Sequence, residues 1–129
     1  MTTKLLFRTV IALLFAFGSG AWALAAEIDG TWKAEFETQV GVQKYVFELK
    51  ADGEKLTGKA VGERETDKSD SAITEGKIVG DTVSFVETLK FDGTDLRIEY
   101  KGKLAGDELK LSRNVGDFAT EELVAKRVK

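Results

Sequence analysis

The sequence predicts an all-β fold, an eight-stranded antiparallel up-and-down β-barrel, and three observations carry that reading. Residues 76–87 and 102–113 repeat each other, and each copy reads as two alternating runs joined at a Gly-Asp pair. Such a pair suits a two-residue hairpin turn, because glycine takes positive φ without steric cost. In both copies a bulky side chain covers a glycine across the strands, Phe85 over Gly76 and Leu111 over Gly102, as in sheets that curve. Beyond the first residues no stretch has convincing helical periodicity, so nothing supplies a helix to cap an open sheet. Closure into a barrel removes the edge strands that invite aggregation.

Taken in order, the chain begins with Lys4 and Arg8, an apolar run over residues 10–17, and small residues ending in Ala23-Leu24-Ala25. This is the pattern of a secretory signal peptide over residues 1–25, and the apolar run is short for a membrane span. Export to the periplasm or beyond a bacterial cell follows as an expectation, with no stable membrane insertion after cleavage. Residues 26–129 then form one domain of about 104 residues, enough for a single core. Without Lys4 and Arg8 the domain keeps 17 basic against 22 acidic residues, a net charge of about −5. That surface repels phosphate backbones, so nucleic acid is not an expected partner. The chain has no cysteine, so the exported fold must hold by burial and hydrogen bonding.

Residues 28–38 alternate, with Trp32, Ala34 and Phe36 on one face, and read as the first strand. Gln39-Val40-Gly41 turns the chain into a second run, over residues 42–50, that sends Tyr45, Phe47 and Leu49 inward. Ala51-Asp52-Gly53-Glu54 leads to a third strand over residues 55–62. Pairing Leu49 with Leu56 sets Phe47 over Gly58 and Tyr45 opposite Ala60. Residues 63–71 are almost wholly polar and read as a loop. The two repeat hairpins follow, with Ile78 opposite Val83, Thr74 opposite Glu87, Leu104 opposite Leu109 and Tyr100 opposite Arg113. Phe91-Asp92-Gly93-Thr94 separates them. Val115-Gly116-Asp117 makes the last turn, and residues 120–128 make the last strand. Its apolar positions split between Leu123 with Ala125 and Val124 with Val128, which leaves its facing open.

Gly30-Thr31-Trp32 at the start of the first strand resembles the Gly-x-Trp signature of lipocalins and their avidin-like and fatty-acid-binding relatives, the calycin-type barrels. In such families the first-strand Trp packs under an Arg from the last strand at the closed end, and Arg127 is the matching position here. The chain departs from true lipocalins in its shorter loops and in lacking a C-terminal helix and a disulfide. It is also similar to small β-domains of secreted bacterial proteins, some of them attached to carbohydrate-active enzymes.

The chemistry is bounded by absence. With no His or Cys, Ser-His-Asp and Cys-His sites cannot be built and zinc loses its commonest ligands. No phosphate-binding glycine loop stands between a strand and a helix. Asp67 and Asp70 lack the spacing of a calcium loop. No enzymatic activity, metal or cofactor is expected. The informative residues are polar ones that strand parity sends inward, toward the end away from the tight turns: Thr38, Tyr45, Thr74, Glu87, Tyr100 and Arg113. Glu87 and Arg113 stand about 10 Å apart across one intervening strand. Either they pair and neutralise each other, or Arg113, Tyr100 and Tyr45 hold the polar head of an amphipathic ligand. The apolar body would then lie against Phe36, Phe47, Phe85 and Ile98. Fatty-acid-binding relatives use an interior Arg and Tyr in that second way, which the resemblance implies. Two functions from different classes follow. One is an exported protein that binds a small amphipathic or lipophilic molecule. The other is a structural or interaction module with a filled lumen, of which an accessory to carbohydrate-active proteins is a subtype; the sequence leaves its oligomeric state open.

Overall fold

Alternation of apolar and polar residues becomes a sheet with one wet face and one dry face, and here the dry face curls upon itself. The computed structural model describes residues 27–129, so the expected leader lies outside the described residues. The strands are β1 (Gly30–Thr38), β2 (Gly41–Asp52), β3 (Lys55–Glu63), β4 (Lys68–Ala72), β5 (Thr74–Val79), β6 (Thr82–Phe91), β7 (Thr94–Ala105), β8 (Glu108–Val115) and β9 (Ala119–Arg127). All pairings are antiparallel, and the β1–β9 and β2–β3 contacts close the ring. Strands β4 and β5 are two halves of one stave, broken at Ile73, whose amide instead donates to the Gly58 carbonyl at 3.0 Å. The barrel therefore has eight staves, as the sequence predicts.

The repeat hairpins form in the expected register at Ile78–Val83, Tyr100–Arg113, Gly102–Leu111 and Leu104–Leu109. Gly80 and Gly106 open their turns at φ 62° and 65°. Gly102 is required for a different reason: a methyl group there would collide with the Lys110 carbonyl oxygen where the sheet coils.

Three local expectations are corrected. The β2–β3 hairpin pairs Leu49 with Gly58, Phe47 with Ala60 and Tyr45 with Gly62, two residues away from the predicted register. Gly53, at φ 64°, takes the first turn position as Gly80 and Gly106 do, which moves the turn by one residue and every partner by two. Facing is unchanged because the period of a strand is two. Second, the polar segment after β3 is not all loop, since residues 68–72 pair with β3 from Glu63–Lys68 to Lys59–Ala72. Backbone hydrogen bonds make that strand, and its serines give no apolar alternation to read. Third, Thr74 pairs with Val86 rather than Glu87 and is exposed. A bulge at Glu75, with φ 52°, absorbs one residue and turns Thr74 outward.

The closed end is sealed by Trp32, fully buried, with its indole N–H donating to the Ile28 carbonyl at 2.9 Å. Arg127 lies directly opposite Trp32, with its guanidinium carbon 4.4 Å from the centre of the indole. It also donates to the carbonyls of Asp29 and Glu27 and to the Asp107 carboxylate. Leu123 and Ala125 face inward and Val124 and Val128 outward, which settles the facing of the last strand.

Candidate functional site

Above the Trp32 plug the lumen is filled by aromatic rings from four strands, β1, β2, β6 and β7. Phe85 and Tyr100 stack with centroids 4.7 Å apart, and Tyr45 and Phe47 stack at 5.4 Å. Phe47 meets Phe85 and Tyr100 edge-on at 5.7 and 5.5 Å, and Phe36 continues the layer beside Tyr45 at 6.0 Å. These geometries are the favourable ones for ring quadrupoles. They leave the lower barrel packed with its own side chains.

A polar layer lies on top of the rings. The Glu87 carboxylate is fully buried and accepts from the Tyr45 hydroxyl at 3.0 Å and the Tyr100 hydroxyl at 2.8 Å. Burial raises its pKa, while the two hydroxyls and the Arg113 charge pull the other way. Tyr100 is held well above its ordinary value by burial and by Glu87. Arg113 is only 3% exposed, and it does not pair directly with Glu87. Its Nη1 donates to the Tyr100 hydroxyl at 2.9 Å, and its Nε pairs with Glu121 at 2.8 Å. This corrects the direct Glu87–Arg113 pair expected of the filled-lumen reading. Tyr100 stands on the intervening strand, and Glu121 is the directly opposed residue on β9. Burial works against the Arg113 charge, yet Tyr100, Glu121 and Tyr45 outweigh it and hold the group above its ordinary value.

Arg64 extends the layer to the rim. Its Nη1 donates to the Gln43 side-chain oxygen at 3.3 Å and to the Tyr45 hydroxyl at 3.4 Å, and it binds Asp67 and Ser69 at 2.9 Å each. Above this layer opens a cavity of about 400 Å³. Leu89, Leu96, Ile98, Val115 and Phe118 supply its apolar wall, and Arg64, Arg113, Gln43 and Glu121 its polar floor. The size falls within the range of small-molecule sites. Arg113 engages Glu121 and Tyr100 through Nε and Nη1, and the Tyr45 hydroxyl also bears on its guanidinium. Almost wholly buried, it still contributes to the cavity lining.

Of the residues singled out from sequence, Arg113, Ile98 and Thr38 line this cavity. Tyr45, Glu87 and Tyr100 form the layer beneath it, and Phe36, Phe47 and Phe85 belong to the packed rings. Thr74 lies on the exterior, and Thr38 is half-buried at the rim. Leu89, Leu96 and Val115 escaped the sequence reading, although they continue the inward parity of Phe85, Ile98 and Arg113. Arg64 carried no signal, since it sits in a polar stretch without periodicity. No protein-family model, curated protein or solved structure matches this chain.

Proposed function

We propose that the barrel binds a small amphipathic anion at its open end, as an exported binding protein rather than an enzyme. The observation that carries this reading is a nearly buried arginine, Arg113, in the lining of an apolar-walled cavity. A carboxylate or phosphate head would meet that arginine, in the charge-assisted geometry guanidinium favours. The apolar body would lie against Leu89, Leu96, Ile98, Val115 and Phe118. Phe36, Phe47 and Phe85 would serve as a rigid bed and not as contacts, since they already pack on one another. The cap of Arg127 on Trp32 supports placing this barrel with lipocalin-like proteins, which commonly use the opposite end for ligands.

Displacement of a fluorescent fatty-acid analogue by unlabelled fatty acids, backed by native mass spectrometry, tests the reading. Arg113→Ala should weaken binding by about tenfold or more, a loss of one charged hydrogen bond. Leu96→Phe, which fills the cavity and leaves the polar layer alone, should weaken it without unfolding the barrel. Failure of every fatty acid, fatty alcohol and alkyl phosphate tried would remove the proposal.

The stacked rings favour a second reading, a rigid exported module that acts through its surface. A carbohydrate accessory role would require aromatic platforms, and among the described side chains Phe118 is the one exposed ring. A single ring on the rim favours the cavity reading over a sugar platform.

A further inference from the structure

The outer face of β7, β8, β9 and β1 carries a shallow groove of about 700 Å³ that none of the preceding argument uses. Its residues are sorted by charge. Lys101 and Lys103 stand on β7 and Lys110 on β8, whereas Glu122 stands on β9 and Glu35 on β1. Glu37, the next outward residue of β1, extends the acidic side, and all six side chains are exposed.

Two features make this arrangement costly for an isolated chain. Lys103 lies directly opposite Lys110, and like charges so placed repel. Among the described residues none of these six groups makes an ion pair, although nine other pairs form on the same molecule. The groove also runs into a seam of the barrel with little pairing, since β1 meets β9 only at Trp32–Arg127 and Lys33–Lys126. Carrying that register onward sets Glu35 level with Val124 and Glu37 level with Glu122. Val124 is 43% exposed in the middle of the patch.

From this layout we infer that the face is a two-fold interface with a second copy of this chain. A two-fold axis parallel to the strands and midway between β8 and β9 exchanges β7 with β1 and β8 with β9. It keeps each level along the strands, so Lys103 meets Glu35 of the second copy and Lys101 meets its Glu37. Ser112 meets its Glu122, and Lys110 meets its Val124, which the lysine stem covers. The patch is thus self-complementary, which is what a closed dimer demands of one surface. A foreign acidic partner would satisfy the lysines and leave Glu35, Glu37 and Glu122 facing it, so the second copy is the better fit.

Sedimentation equilibrium of the purified chain at low and high salt tests this. A monomer–dimer equilibrium is expected at about 50 mM salt, weakened about tenfold or more at about 500 mM, where screening shortens to a few ångströms. The double variant Lys101→Glu with Lys103→Glu should be monomeric, as should Glu35→Lys with Glu37→Lys. An equimolar mixture of the two should form a heterodimer, because each supplies the sign the other lacks. All four positions are exposed, and far-ultraviolet circular dichroism checks that the variants fold. A wild-type chain that stays monomeric at millimolar concentration in low salt overturns the inference. So does a dimer that both double variants leave intact, or a mixture that fails to associate. Monomeric wild type that instead binds polyglutamate overturns it too and gives the lysines to an acidic partner.

Discussion

Arg113 reaches the Tyr100 hydroxyl at 2.9 Å, and that hydroxyl in turn donates to Glu87 at 2.8 Å. Two opposite charges are therefore coupled through a neutral group that serves as acceptor to one and donor to the other. The arrangement satisfies both charges while Arg113 still lines the cavity. A direct ion pair would satisfy the charges and hold Arg113 down, away from the open end.

Tyr100→Phe should destabilise the fold by about 2–4 kcal/mol, because it strips a partner from a buried cation and from a buried carboxylate together. Tyr45→Phe should cost less. The Tyr45 hydroxyl holds Glu87 at 3.0 Å and meets Arg64, at the rim, at only 3.4 Å. Urea denaturation of the two variants checks the order. If Tyr45→Phe proves the more damaging, the relay through Tyr100 is not the main support of the layer.

Glu87 should make stability depend on pH in a direction its burial dictates. Burial raises its folded-state pKa above the ordinary 4.5, so the native state holds that proton more tightly than the unfolded chain. The contribution is fully present below the ordinary value and is lost as pH rises through the folded one. Compared with Glu87→Gln, wild type should lose stability as pH rises above the ordinary value of 4.5. Urea midpoints measured for both proteins across that range give the difference directly. A difference that is flat or rises with pH would contradict a raised Glu87.

Much of the barrel was legible because hairpin register is written in glycine and in period-two alternation. The 76–87 and 102–113 repeats gave Tyr100 opposite Arg113 without coordinates, and the Gly-x-Trp start with a terminal Arg gave the Trp32–Arg127 cap. What escaped was whatever depends on a single extra residue or on polar backbone pairing. The bulge at Glu75 reversed Thr74, yet no residue there announces a bulge beforehand. Strand β4 is held by its ladder to β3, so its Lys-Ser-Asp-Ser-Ala sequence reads as loop. The cavity floor was half seen. Arg113 followed from parity, whereas Arg64 enters from a polar stretch through contacts to β2, and Glu121 lies on the last strand, whose facing the sequence left open.

Gly102→Ala should be far more damaging than Gly106→Ala, though both remove a glycine from one hairpin. Gly106 sits in a turn at φ 65° with open space around it, so alanine there costs about 1 kcal/mol of backbone strain. At Gly102 the added methyl meets the Lys110 backbone, which cannot rotate away. Relief requires the β7–β8 ladder to part, at a cost of about 3 kcal/mol or more, comparable to severe overpacking. Thermal melts of the two variants separate the cases.

Trp32 reports on the closed end, since the other tryptophan, Trp22, falls within the expected leader. In the chain from residue 26 onward its emission should be blue-shifted, as befits a fully buried indole. Arg127→Ala removes the cation 4.4 Å above the ring and the donors to the carbonyls of Glu27 and Asp29. The loss should be about 1–3 kcal/mol, from a cation–π contact and charged hydrogen bonds together. Water admitted at the plug should shift Trp32 emission to the red. Arg127→Lys should recover only part of the stability, because an ammonium cannot span the ring, both carbonyls and the Asp107 carboxylate at once. A fully stable Arg127→Ala protein with unchanged emission would mean that Trp32 seals the barrel unaided.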